Sequence, residues 1–184
     1  MTVTLLDETN RPKAPPIPGA TAEHRARGRH LAAIHRMHLQ HMADVRRTMA
    51  AVARGLAAPS ELGAAVGAMQ MMQNYRAFGG MCGQQCQFLT GHHTIEDTSM
   101  FPPLRAAGGE GLRKVVDKLA AEHLVVHALL DELGDDAEKL VATPCEPAFR
   151  KLADTFERLE AVVRSHFGYE ESELEEALGF YGLV

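Results

Sequence analysis

The sequence predicts an all-α protein, an up-down-up-down four-helix bundle preceded by an extended, proline-rich N-terminal arm. Three observations predict this fold. Four long segments repeat apolar residues at the helical period, short breaks rich in glycine and proline separate them, and the alternation typical of strands is almost absent. Because the breaks are short, consecutive helices are expected to run antiparallel. The 184 residues are enough for one such domain with a buried core.

The arm comprises residues 1–20, which end in RPKAPPIPGA. Proline lacks the amide hydrogen that a helix interior or a central strand needs, so the arm is expected to be extended or disordered. The bundle is predicted over residues 21–184.

The four helices are predicted over residues 22–56, 61–100, 112–141 and 147–178, and each carries an apolar seam spaced by three and four residues. The breaks are GLAAPS, FPPLRAAGGEG and ATPCEP. The double proline at 102–103 is expected to end the second helix. Six glycines in that helix predict a kink or close packing near Gly79 and Gly80.

Polar side chains interrupt the seam of every predicted helix where an aliphatic residue is expected. They are His35 and His38 in the first helix, His92 and Glu96 in the second, His123 and His127 in the third, and His166 and Glu170 in the fourth. An unsatisfied buried polar group costs roughly 2–7 kcal/mol, whereas a domain has only about 5–15 kcal/mol of net stability. Coordination of a metal would satisfy the whole set at once.

The spacing supports a metal site. Residues four apart lie on one face of a helix, so the pairs His92/Glu96, His123/His127 and His166/Glu170 can each reach one centre. Five histidines with two carboxylates are too many ligands for one ion and suit two, with the carboxylates as bridges. His93 and Asp97 repeat the spacing of His92 and Glu96 one residue further along the second helix, and we expect them around the site or at the surface.

These residues resemble the hemerythrin-like (HHE cation-binding) family. The resemblance covers residues 35–178 and is specific in CQFLTGHHTIEDTSMFPPLR, LAAEHLVVHALL and SHFGYEE. It implies a four-helix bundle holding two iron ions joined by an oxo or hydroxo bridge, with manganese or zinc less expected. The ligands it implies are His35, His92, Glu96, His123, His127, His166 and Glu170. Some members space the last pair one residue wider, so Glu171 could replace Glu170.

His38 departs from the family pattern, which usually has an aliphatic residue at this position. Two six-coordinate irons held by the implied ligands and one bridging oxygen keep one position open, where such a family would bind dioxygen or peroxide. As a sixth histidine ligand, His38 would close that position. As a neighbour it would supply a proton or a hydrogen bond to the bound oxidant, and a third interpretation gives it neither role.

The resemblance implies a protein that binds dioxygen or a related small oxidant, such as peroxide or nitric oxide. An enzyme that breaks down peroxide or oxidises a small metabolite, and a sensor of iron or oxygen, remain alternatives.

The net charge of −5 is scattered, and there is no basic stripe for nucleic acid and no apolar run long enough for a membrane. The absence of a signal-peptide pattern and the presence of three cysteines without disulfide-type spacing predict a cytoplasmic protein. Cys82 and Cys86 are expected to be small buried residues of the second helix.

Overall fold

A computed structural model of the chain describes residues 6–54, 89–143 and 145–183. Within these ranges the protein is an all-α bundle without strands. Its helices are α1 (Ala22–Gly28), α2 (His30–Ala53), α3 (Leu89–Ile95), α4 (Phe101–Ala107), α5 (Glu110–Ala142) and α6 (Glu146–Tyr181), and a π-helical turn, Glu96–Met100, joins α3 to α4. No helix in the described part of the chain is long and apolar enough to cross a membrane.

The predicted seams form the interior of the bundle. The α5 seam from Leu112 to Leu133 is buried along its whole length, as is the α6 seam from Leu152 to Glu170. The apolar residues separate into two clusters. One contains Met42, Leu130 and Phe156, and the other contains Leu31, Phe101, Leu119 and Leu178. Along each long helix the polar interruptions fall between the two clusters, so apolar packing closes the polar layer from both ends.

Two predicted boundaries in the first two helices were wrong. The first helix is divided at Arg29, whose amide donates to Arg25 O and so closes α1 before α2 begins. The double proline does not end the second helix, because Pro102 and Pro103 occupy the first turn of α4. Proline is tolerated there since first-turn amides have no partner within the helix, and the preceding π-helical turn is closed by the amide of Phe101 donating to Glu96 O.

The short helix α1 packs against α6 through two glycines. A Cβ atom added to Gly28 would lie 1.8 Å from Glu175 O, and one added to Gly179 would lie 1.7 Å from His24 O. The backbones of α1 and α6 therefore approach more closely than any side chain at these positions would permit. This contact fixes the direction of α1 relative to α2.

Residues 6–20 contain neither helix nor strand and lie against α5 and α6. Ala14 N donates to Glu173 Oε2 at 2.7 Å, and Tyr169 Oη donates to Pro12 O at 2.7 Å. The start of the predicted second helix, its kink at Gly79 and Gly80, and Cys82 and Cys86 all lie outside the described residues.

Candidate metal centre

Histidine and glutamate side chains from four helical segments meet between the two apolar clusters. They form two groups in which every potential ligand atom lies within 4.8 Å of the others. The first group contains His35, His92, Glu96 and Glu170, and the second contains His93, His123 and His166. All seven side chains are buried, none being more than 2% exposed.

The first group joins α2, α3 with the π-helical turn that follows it, and α6. His35 Nε2 lies 3.1 Å from His92 Nε2 and 3.4 Å from Glu170 Oε2. His92 Nε2 lies 3.0 Å from Glu96 Oε1. Phe167 stacks on the His35 ring with centroids 3.8 Å apart and planes 3° from parallel, which holds that ring against the apolar cluster.

The second group joins α3, α5 and α6. His123 Nε2 lies 3.1 Å from His166 Nε2. The ring of His93 stacks on that of His123, with centroids 4.1 Å apart. Phe101 covers the His123 ring at 5.4 Å. Each group therefore has a phenylalanine ring packed on one of its histidines.

Both carboxylates of the first group also approach a histidine of the second group. One oxygen of Glu96 is 3.0 Å from His92 Nε2, while the other is 3.4 Å from His123 Nε2. Glu170 Oε2 is 3.4 Å from His35 Nε2 and 3.8 Å from His166 Nε2. Each glutamate can thus serve both groups, as a carboxylate that bridges two metal ions does.

The residues fit a metal ion on the evidence of their buried polar atoms. His93 Nε2 is fully buried and makes no hydrogen bond to any described residue. Neither oxygen of the buried Glu170 accepts a hydrogen bond of good geometry within the same part of the chain. Leaving such a group unsatisfied costs about 1–3 kcal/mol, and a charged group costs more. Imidazole nitrogen with carboxylate oxygen, without a thiolate among the described residues of either group, is a donor set that suits iron, manganese or zinc.

The outer ring nitrogens of three site histidines lie against carboxylates. His35 Nδ1 is 2.8 Å from Glu171 Oε1, His123 Nδ1 is 3.0 Å from Asp97 Oδ1, and His166 Nδ1 is 3.1 Å from Glu122 Oε2. A carboxylate accepts the Nδ1 hydrogen, so in the neutral form of each ring Nε2 directs its lone pair toward the group. This arrangement orients a metal ligand and raises its basicity.

The electrostatics of the site favour neutral imidazoles beside ionised carboxylates. Burial lowers the pKa of His92 and His93 well below the usual range and also lowers the pKa of His166. Burial opposes ionisation of Glu170, but the surrounding histidines outweigh it and lower the pKa of that carboxyl. At His35 burial is outweighed by two carboxylates, and the pKa is raised. Metal binding requires deprotonated ligands, and most of this site is already in that state near neutral pH.

Six of the seven predicted ligands belong to the two groups. The seventh, His127, belongs to neither: it is half-buried, and its Nε2 lies 3.2 Å from His93 Nδ1. His93, expected around the site or at the surface, is instead fully buried in the second group. Neighbouring residues lie about 100° apart on a helix, so His92 and His93 can face two adjacent centres. Glu171, the alternative to Glu170, contacts the outer nitrogen of His35.

His38 is buried beside the first group without belonging to it. Its side chain is 2% exposed, and its ring centroid lies 4.9 Å from that of His92 and 6.1 Å from that of Phe167. This position is compatible with the predicted role next to a bound oxidant, and that role remains a prediction.

Two residues that support the site were not predicted. The sequence indicates Glu122 only weakly, through its position directly before the seam residue His123. In the structure Glu122 is 1% exposed. The sequence does not indicate Arg11 at all. It lies in a segment without helical period, and its contact with Glu122 joins residues 111 positions apart.

Comparison with known protein families found one model that matches residues 28–178, that of the hemerythrin HHE cation-binding domain. Comparisons with curated proteins and with solved structures found no match. The matched residues include all four helical segments that contribute to the two groups, so the family resemblance and the geometry concern the same part of the molecule. The chain belongs to the hemerythrin HHE cation-binding domain family, and its buried histidine and glutamate groups are those of a metal-binding protein.

Proposed function

We propose that the protein holds two iron ions, one in each group, and binds dioxygen or a related small oxidant there. The observation that carries this proposal is the pair of adjacent buried groups, in which Glu96 and Glu170 of the first group also approach His123 and His166 of the second. A site for one ion would need only one of the two groups. In this proposal His93 completes the second group, and His127 orients His93 through the hydrogen bond between them.

Iron in a mixed imidazole and carboxylate environment supplies the reversible electron transfer that oxygen binding needs. The protein supplies the surroundings. Phe101 and Phe167 exclude water from the rings they cover, and the outer carboxylates keep the Nε2 lone pairs directed inward. Nitric oxide and peroxide are small enough to enter the same site, so they belong to the same ligand class.

The test of this proposal is the optical spectrum of the iron-loaded protein as oxygen is admitted. The reduced protein should develop new absorption bands in air, and the bands should disappear when oxygen is removed. Glu170→Ala should abolish them, whereas Glu138→Ala, which truncates an exposed glutamate of α5, should leave them unchanged. A protein that takes up no iron, or an iron-loaded protein whose spectrum does not respond to oxygen or nitric oxide, would contradict the proposal.

The position of His38 favours a second candidate, the breakdown of hydrogen peroxide. A buried imidazole one ring away from the first group can give a proton to a reacting oxygen and take it back afterwards. His38→Leu should then lower peroxide consumption by about 10²-fold while the iron content stays the same. Equal consumption by both proteins, or none by the unaltered protein, would exclude this role.

A further inference from the structure

We propose that the N-terminal arm is part of the metal centre, because Arg11 positions His166 through Glu122. This inference rests on the proposed function, since it concerns the affinity of the second group for iron. It assigns Arg11 the role of a positioning residue that acts on the site through two other side chains.

Arg11 binds Glu122 with both branches of its guanidinium group. Arg11 Nε donates to Glu122 Oε1 at 2.9 Å, and Nη2 donates to Oε2 at 3.0 Å. A two-point contact of this kind fixes the plane of the carboxylate as well as its position. The Arg11 side chain is only 11% exposed and that of Glu122 only 2%, so solvent screens the pair weakly.

Three further contacts hold Arg11 in place. Its Nη1 donates to Ser165 Oγ at 2.9 Å, and its guanidinium carbon lies 4.7 Å from the centre of the Tyr169 ring. Tyr169 Oη in turn donates to Pro12 O, next to Arg11 in the arm. The guanidinium group therefore lies in a pocket formed by side chains of α5 and α6, and its position is fixed by these contacts.

Glu122 connects Arg11 to the second group, because its carboxylate contacts both Arg11 and His166. The oxygen that receives Nη2 of Arg11, Oε2, also lies 3.1 Å from His166 Nδ1. A carboxylate oxygen held by Arg11 can only accept a hydrogen from the imidazole. The neutral His166 ring therefore carries its hydrogen on Nδ1 and leaves Nε2 bare. Nε2 is the atom that faces His123 in the second group.

His166 differs in this respect from the other two histidines with outer carboxylates. The partners of His35 and His123, Glu171 and Asp97, have side chains 39% and 37% exposed. Water can solvate those two carboxylates, but it barely reaches Glu122. Without Arg11, Glu122 would keep only Lys118, whose Nζ lies 3.7 Å from Oε1, and this single contact would not fix the plane of the buried carboxylate. His166 would then lose its fixed orientation.

The experiment is anaerobic Fe(II) titration of the full-length metal-free chain against a competing chelator, with unaltered protein, Arg11→Gln, Arg11→Lys and Lys13→Gln. Lys13→Gln is the matched control, because it removes a positive charge two residues away on the arm, where Lys13 is 85% exposed and contacts Glu173. Arg11→Gln should weaken binding of one of the two Fe(II) ions by about tenfold. Arg11→Lys should fall between, and Lys13→Gln should match the unaltered protein.

A second readout does not require metal. Long-range proton–nitrogen NMR spectra of the metal-free proteins should show His166 protonated on Nδ1 in the unaltered chain and in Lys13→Gln, and a mixture of tautomers in Arg11→Gln. The inference is overturned if Arg11→Gln keeps both Fe(II) affinities and this tautomer, even if its melting temperature falls, because the arm would then have only a structural role. Failure of every chain to bind Fe(II) would instead refute the proposed function.

Discussion

His93 gives the sharpest test of whether the buried groups are a metal site, because its replacement should have opposite effects with and without metal. In the metal-free protein, His93→Leu removes a buried Nε2 without a hydrogen-bond partner among the described residues, which is worth about 1–3 kcal/mol. It also removes the hydrogen bond to His127, worth about 1 kcal/mol. The free energy of unfolding should therefore rise by about 1 kcal/mol. With iron present, loss of a ligand should lower it, by about 1.4 kcal/mol for each tenfold loss of affinity.

The assay is urea denaturation of His93→Leu and the unaltered protein at pH 8, once with chelator and once with excess Fe(II) under nitrogen. At that pH an unfolded histidine is neutral, so protonation contributes little to the comparison. His30→Leu, the same replacement at an exposed position of α2, should change stability by no more than about 0.5 kcal/mol in either condition. If His93→Leu destabilises the metal-free protein and leaves its iron content unchanged, His93 is a satisfied core residue and the reasoning fails.

Three further predictions concern packing, pH and the outer carboxylates. Gly179→Ala should destabilise the protein by about 2 kcal/mol in thermal melts because its Cβ would meet backbone, whereas Gly168→Ala, with nothing within 4 Å, should stabilise it by up to about 1 kcal/mol. An equal effect of both would refute the close contact of α1 with α6. Burial opposes ionisation of Glu160, but two arginines outweigh it and hold its pKa below the usual range. Glu160→Gln should therefore cost about 1 kcal/mol at pH 7, and the difference should vanish as the pH falls through the lowered pKa; a constant difference down to pH 3 would contradict this. Asp97→Asn should weaken Fe(II) binding by about tenfold, while Asp117→Asn, at an exposed position of α5, should not; equal affinities would exclude a role for Asp97.

The helices and their buried faces were predictable because apolar period is a local property of the sequence. The seam of α5 is buried as predicted from Leu112 to Leu133. The division at Arg29 was not predictable, since it depends on the contact of Gly28 with α6, far away in the chain. The helical turn at Pro102 and Pro103 was not predicted either, because proline disfavours a helix interior but is tolerated in the first turn of a helix, where α4 places both residues.

The candidate site was predictable to the extent that its residues interrupt an apolar seam. That signal predicted His35, His92 and His166, and the structure buries all three within the two groups. It failed for His93, because a periodicity argument assumes one centre for each helix face and the structure has two adjacent groups. It could not find Arg11 at all, since a long-range ion pair leaves no trace in local spacing.

The most direct test of the central claim is the number of iron ions that the full-length chain binds. The metal-free protein would be loaded with excess Fe(II) under nitrogen, separated from unbound metal by gel filtration, and analysed for iron and protein in the same fractions. Two buried groups joined by Glu96 and Glu170 predict two iron ions per chain. One ion per chain, or none, would contradict the account.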